Sequence, residues 1–437
     1  MRPLPVLFAV LLLTSSVAAT AGVPGLAPAS IQSGDVSSSV DAAQNRTLAN
    51  VLTLAPSDTE RTNFSQSGAN ASAALSLRDV RLSRQLNAQR TETRLADVES
   101  DTEKQAYIRR ALTEVEIRMN ELRQTEREAF RRHSTGEFST TELVTELARV
   151  DTVSRQLAQN ATRLADAGED IEGFSVQTRV DAIRLELRTL QGPVRAHAAA
   201  VIRGDSSPTR VYVHTTPEGV VLSTIQERTF VREVYDGSRR LTGTNAVTGE
   251  EIEPLMSERY PSLTQRGRIS AQTAREGDIW VAVVPHRRGG LTAYIDKTDP
   301  GSIFKEERSL VLNQTPPSEP VNETRVGLRL TVHPSYPGGP MLVSVEDAQT
   351  GDPVRADVSL ITAPQSNSQP VELGTTNETG HLWTVSPGEE FTIQAIKTGT
   401  QSVVDIRVEP VAPNAVYDDD GGTDNQTGLA APPERLG

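Results

Sequence analysis

Three successive runs of apolar residues, spaced four and three apart in a stretch nearly free of proline, limit this chain more than any other feature. The first is Ile108, Leu112, Val115, Met119, Leu122 and Ala129, with Glu126 interrupting at a seam position. His133-Ser134-Thr135-Gly136-Glu137-Phe138 reads as a turn, and Ser139-Thr140-Thr141-Glu142 restarts the helix as a capping box. Leu143, Leu147, Val150, Ser154, Leu157, Ala161 and Leu164 carry the second run. After Gly168 and Gly173 come Val176, Val180, Ile183, Leu187, Leu190, Val194, His197 and Val201. Such spacing predicts antiparallel helices packed along their seams over 76–203. Leu112, Leu122, Leu147, Leu157, Ile183 and Leu187 are expected in one shared core. Gly192-Pro193 should kink or end the third run.

At about residue 208 the hydrophobic period switches to two. Thr209–His214, Val220–Ile225, Thr229–Tyr235, Arg268–Thr273, Asp278–Val284 and Leu291–Ile295 read as strands. One short helix fits Glu250–Tyr260, so 208–312 is expected to be an α+β domain. Residues 313–324, with Pro316, Pro317 and Pro320, read as an extended linker. Seven short strands separated by turns predict a β-sandwich over 325–410. The flanks, 22–75 and 411–437, are polar and lack periodicity, which predicts a disordered leader and an acidic tail. The fold class is therefore multidomain α+β: helical hairpins or a three-helix bundle, a small α+β domain, then an all-β sandwich.

The N-terminus has the layout of an export signal. Met1-Arg2-Pro3-Leu4-Pro5 precedes an apolar run from Val6 to Leu13, and small residues follow, so cleavage is expected after Ala19 or Ala21. A retained N-terminal anchor is the alternative, although the apolar run is shorter than the roughly 20 residues of a spanning helix. No other segment is apolar enough to cross a bilayer. Net charge is −13, and only Lys104, Lys297, Lys305 and Lys397 are lysines. With 4% aromatics, this composition resembles that of haloarchaeal proteins, whose acidic surfaces multimolar salt screens. It argues against nucleic acid, since no basic patch faces phosphate. Cysteine is absent, so disulfides and thiolate metal sites are excluded.

Eight Asn-x-Ser/Thr sequons begin at Asn45, Asn63, Asn70, Asn160, Asn313, Asn322, Asn377 and Asn425. In an exported chain each is a candidate N-glycosylation acceptor. Chemistry is otherwise sparse. His133, His197, His214, His286, His333 and His381 never pair at helical spacing, so zinc would need scattered residues to converge. Ser302-Ile303-Phe304-Lys305 matches a Ser-x-x-Lys pattern without its companion motifs. Asp418-Asp419-Asp420-Gly421-Gly422 departs from a calcium loop because Gly421 falls early and no Glu closes it. These residues single out no catalytic group, no cofactor and no metal.

The 325–410 module resembles the carboxypeptidase-regulatory-like, transthyretin-type sandwich. The resemblance rests on Thr350-Gly351-x-Pro353-Val354-x-Ala356-x-Val358, Thr379-Gly380-x-x-Trp383 and Pro387-Gly388-x-x-Phe391. It implies a spacer or binding unit. Leu187–Val194 and Thr209–Val213, with the order of modules, look like an uncharacterised family of exported haloarchaeal proteins. The expected role is a non-catalytic secreted or cell-surface protein that binds or scaffolds an envelope component. Two alternatives stand beside it. One is a hydrolase or hydrolase inhibitor with its site in 208–312; the other is a structural component that self-associates through 103–202. Export is checked by cell fractionation and N-terminal sequencing. The mature chain is expected outside the cytosol, starting after Ala19 or Ala21; an intact Met1 in the cytosolic fraction overturns the reading.

Overall fold

The computed structural model describes residues 50–68, 70–240, 247–265, 267–298, 301–315, 317–362 and 370–417. The export signal with its cleavage positions Ala19 and Ala21, the leader before residue 50, Asn45, Asn425 and the Asp418–Asp420 run lie outside them. Helices α1 (Ala71–Asp97), α2 (Asp101–Ser134), α3 (Thr140–Glu169), α4 (Gln177–Thr189) and α5 (Pro193–Arg203) form a layer. Beneath it lies an antiparallel sheet of eight strands: β1 (Arg61–Ser67), β2 (Thr209–Thr216), β3 (Gly219–Gln226), β4 (Thr229–Asp236), β5 (Ser270–Thr273), β6 (Ile279–His286), β7 (Gly289–Asp296) and β8 (Ile303–Val311). Its order is β1-β2-β3-β4-β8-β7-β6-β5. Helices α6 (Gly249–Arg259) and α7 (Pro261–Thr264) cover the opposite face.

The helices form where the 4-3 spacing places them. At the start of α3, Glu142 N–H donates to Ser139 Oγ at 3.2 Å, and Ser139 N–H donates back to Glu142 at 2.8 Å. That capping box satisfies two orphan donors of the first turn. The third run divides at Gly192-Pro193: α4 stops at Thr189, and α5 restarts with Pro193 in its first turn. Leu112, Leu122, Leu157, Ile183 and Leu187 share one core. Leu147 does not. It joins Leu143, Val144, Val194, Ala198 and the sheet residues Val211, Val213, Val220 and Leu222 in a second core. Helix α3 is wedged between its neighbours and the sheet, so it buries two sides, and a single seam could not assign them. The i, i+4 pair Glu114/Arg118 is exposed, whereas in Asp151/Arg155 the carboxylate is buried.

Several boundaries differ from the sequence reading. Residues 50–68, placed in the disordered leader, are part of the fold. Val51, Leu52 and Leu54 are buried, and β1 pairs along its whole length with β2. The tail beyond 411 also begins in ordered structure. Val416 is buried in the core under α6, and Val51 and Ala415 form a parallel bridge. The linker is shorter than 313–324, because β9 (Val321–Arg325) pairs with β10 (Leu328–His333). The sandwich thus has eight strands rather than seven, adding β11 (Pro340–Asp347), β12 (Ala356–Thr362), β13 (Val371–Thr375), β14 (His381–Val385), β15 (Phe391–Lys397) and β16 (Val403–Val408). They stack as two sheets, β14-β11-β10-β9 and β13-β12-β15-β16, over a core of their own. Val385 and Trp383 of β14 pack into the core beneath the eight-stranded sheet, so sandwich and α+β domain share an interior.

Truncating Leu157 to alanine removes a side chain from the helical core and should cost about 2–5 kcal/mol. Arg118→Glu breaks only an exposed pair with Glu114 and should cost at most about 1 kcal/mol. Unfolding midpoints at multimolar salt check this, since dilute buffer would add self-repulsion of the acidic surface to both. Equal shifts for the two variants would mean that the stripes do not form a common core.

Candidate functional site

The densest electrostatics lie where the helical layer meets β4 and β8. Glu126, the residue that interrupts the α2 seam, accepts from the buried Arg195 of α5. Arg195 Nε donates to Glu233 of β4 at 2.8 Å, and a terminal nitrogen reaches Leu190 O at 3.2 Å. The second oxygen of Glu233 accepts from Val194 N–H at 3.1 Å, so a strand carboxylate caps the N-terminus of α5. Gly192 makes that approach available: a Cβ there would sit 1.9 Å from Glu233 Oε2. Burial works against the Arg195 charge, but Glu126 and Glu233 overcome it and hold the guanidinium above its usual range. Lys305 of β8 donates to Arg188 O at 3.1 Å, to Thr189 O at 3.0 Å and to Gln191 O, satisfying carbonyls at the end of α4. Every one of these charges is engaged in holding helices to sheet, and none of them lines the cleft described below.

Sequence reasoning missed Arg195 and Glu233; Glu126 at a seam position was the one visible trace. Ser302 and Lys305 do not form a nucleophile–base pair, because Ser302 Oγ donates to Arg239 O while Lys305 binds helix carbonyls. His133 serves as a packed polar group, whereas His381 is exposed at the start of β14. His133 sits between Thr215 Oγ1 at 2.7 Å and Thr140 Oγ1 at 3.2 Å, and burial, with Arg61 nearby, pushes it down to about 4. Burial also lowers His197, His214 and His286, while His333 Nδ1 contacts Ser318 O at 2.7 Å. Among the described residues no group of three histidines or carboxylates is placed to hold a metal ion.

Six sequons are described. Asn63 is exposed on β1, Asn70 is the N-cap of α1, Asn160 lies half-buried on α3, and Asn313 and Asn322 are exposed on either side of the linker. Asn377 is exposed in a turn, where its Oδ1 accepts from Thr379 N–H at 2.9 Å and His381 N–H at 3.0 Å. Asn70 Oδ1 likewise accepts from Ala73 N–H at 3.1 Å. A glycan is carried on the amide nitrogen, so these acceptor roles are compatible with modification. The six are spread over helix, sheet edge and sandwich and do not converge.

Three of the exposed leucines gather on α1. Ala73, Ala74 and Leu77 anchor its start on the core shared with the sheet, and Leu95 packs at its far end. Beside it, a cleft of about 290 Å³ opens between α1, α3 and α5, lined by Leu77, Arg78, Arg155, Gln156 and Arg203. Leu75, Leu82 and Leu86 stand 66%, 54% and 46% exposed. At 100° per residue they fall on the side of α1 opposite Leu77 and Leu95. The expected seams of 103–202 face inward, so the exposed ridge belongs to α1 instead. No helix among the described residues is long and apolar enough to cross a membrane.

The depressed His133 fixes a pH dependence. Below its unfolded value of 6.5 the unfolded chain takes up a proton that the folded chain refuses until about pH 4. Its contribution is complete above pH 6.5 and is lost as pH falls through that window. In thermal scans from pH 7 to pH 4, His133→Asn should lose stability less steeply than the parent. Parallel curves would mean that His133 is not held neutral.

Comparison with known families assigns the chain in three consecutive pieces. Residues 1–207 match a domain of unknown function, DUF7096; residues 211–316 match a family of unknown function, DUF7094; and residues 319–404 match an archaeal fibronectin-III type-like domain. The first match ends between α5 and β2, the second begins within β2, and the third begins two residues before β9. No curated protein and no solved structure matches. The turn signature at Thr350–Val354, which resembled a carboxypeptidase-regulatory-like module, lies within the fibronectin-III type-like match. In order along the chain, these matches describe an uncharacterised archaeal family with a C-terminal β-sandwich.

Proposed function

We propose that this protein is an exported, non-catalytic scaffold of the cell envelope that associates with a second copy of itself through the outer face of α1. The observation that carries the reading is the ridge of Leu75, Leu82 and Leu86, exposed on a helix whose other side is already packed. Spacings of seven and four are those of a helix–helix seam. Burying a leucine fully is worth about 1.5–3 kcal/mol, so three give association a substantial apolar term. The sandwich, in the role that its transthyretin-type turn signature implies, acts as spacer or binding unit. Exposed sequons on helix, sheet edge and sandwich suit a glycosylated surface protein.

Sedimentation across a concentration series at multimolar salt tests the reading. The parent should form a concentration-dependent dimer, while Leu82→Glu should remain monomeric with an unchanged circular dichroism spectrum. A parent that stays monomeric at the highest concentration, or a Leu82→Glu variant that dimerises equally, overturns it.

A further inference from the structure

On the face of the sheet away from the helices, Ser223, Arg232 and Arg308 stand side by side on β3, β4 and β8, directly opposite one another in register. All three are buried, at 0%, 2% and 3% exposure. Like charges facing each other across strands are destabilising. Glu306 offsets one of them, accepting from Arg232 at 3.1 Å and Arg308 at 3.3 Å while also taking Leu52 N–H and Tyr260 Oη–H. Two guanidiniums against one carboxylate leave a buried excess of positive charge, which is costly without a counter-charge.

The unsatisfied atoms in this row share one character. Arg232 Nε and Arg308 Nε find no acceptor, nor does Ser223 Oγ, and the buried Tyr336 hydroxyl also lacks a partner. Tyr336 belongs to a sandwich loop that lies over the row. The Arg232 guanidinium carbon is 5.6 Å from its ring centroid, and a Cβ on Gly338 in the same loop would stand 3.3 Å from Ser223 Oγ. Burial holds the Tyr336 phenol above its usual value, so it remains a donor. Two atoms can only donate and two are hydroxyls free to do so. We infer that Ser223, Arg232, Arg308 and Tyr336 form a binding site for chloride, buried at the junction of sheet and sandwich. A monovalent anion cancels the single excess charge, whereas sulfate or phosphate would overcompensate it. Because Tyr336 comes from the sandwich and the arginines from the sheet, the ion fastens one domain to the other.

The test uses the full chain at constant ionic strength, with chloride replacing glutamate stepwise. The thermal midpoint of the parent should rise along a saturating curve, by about 2–4 °C when chloride is tenfold above its dissociation constant. The chloride-35 resonance should broaden in its presence. Tyr336→Phe and Ser223→Ala, both conservative in shape, should weaken the saturating component and the broadening. A midpoint that follows ionic strength alone, or identical chloride responses in parent and variants, would mean that water satisfies these donors and would overturn the site.

Discussion

β4 and β8 lie side by side in a sheet that is buried on both faces, and both present charged residues to each face. Toward the helices, Glu233 and Lys305 hold α5 and the end of α4 through Arg195 and a set of carbonyls. Toward the other side, Arg232, Glu306 and Arg308 grip the backbone at Asn50 and Leu52 and the hydroxyl of Tyr260. A buried charge is tolerated only when it is paired and hydrogen-bonded, and removing one partner typically costs about 3–5 kcal/mol. The layers of the molecule are therefore registered to each other by groups that permit little sliding. Apolar burial supplies most of the driving force; the charges dictate where each helix end must sit.

The same arrangement explains why the chain's ordered ends return to one place. Val51 and Leu52 enter beneath β8, and Val416 and Tyr417 close over the same core. Tyr417 accepts from Ile303 N–H at 2.5 Å and donates to Gly301 O at 2.5 Å, just before β8 begins. Segments lying before the first helix and after the last strand thus complete the interior of the middle domain. With Val385 and Trp383 contributed by the sandwich, the α+β domain buries both faces of its sheet only in the company of its neighbours.

The helical layer was legible because its periodicity is local: the 4-3 stripes, the Ser139/Glu142 box and the Gly192-Pro193 break each act within a few residues. The β elements that escaped notice share a physical reason. β8 carries the run Lys305-Glu306-Glu307-Arg308, which reads as a solvated segment, yet it becomes a central strand because distant groups hydrogen-bond to these side chains in the interior. β9 is exposed at every position and offers no alternation. β1 is an edge strand whose partner begins 142 positions later in sequence, Ser67 facing Thr209. Of the candidate site, the sequons were visible as short motifs. The leucine ridge on α1 was not, because a helix with apolar residues on two sides shows no single stripe.

The sequence by itself determined which stretches become helix or strand wherever hydrophobic period, caps and breakers act over one or two turns. It also determined net charge, the absence of cysteine chemistry and the positions of the Asn-x-Ser/Thr sequons. Only the tertiary structure decided that Leu147 faces the sheet rather than the helical core, and that Glu126 and Glu233 meet on Arg195. It likewise set two arginines side by side under Tyr336. Those outcomes depend on contacts between residues far apart in the chain, where burial converts an ordinary charged residue into one that must find a particular partner. Local sequence carries the identity of such residues but not their neighbours, and in a low-dielectric interior the neighbours set the energy.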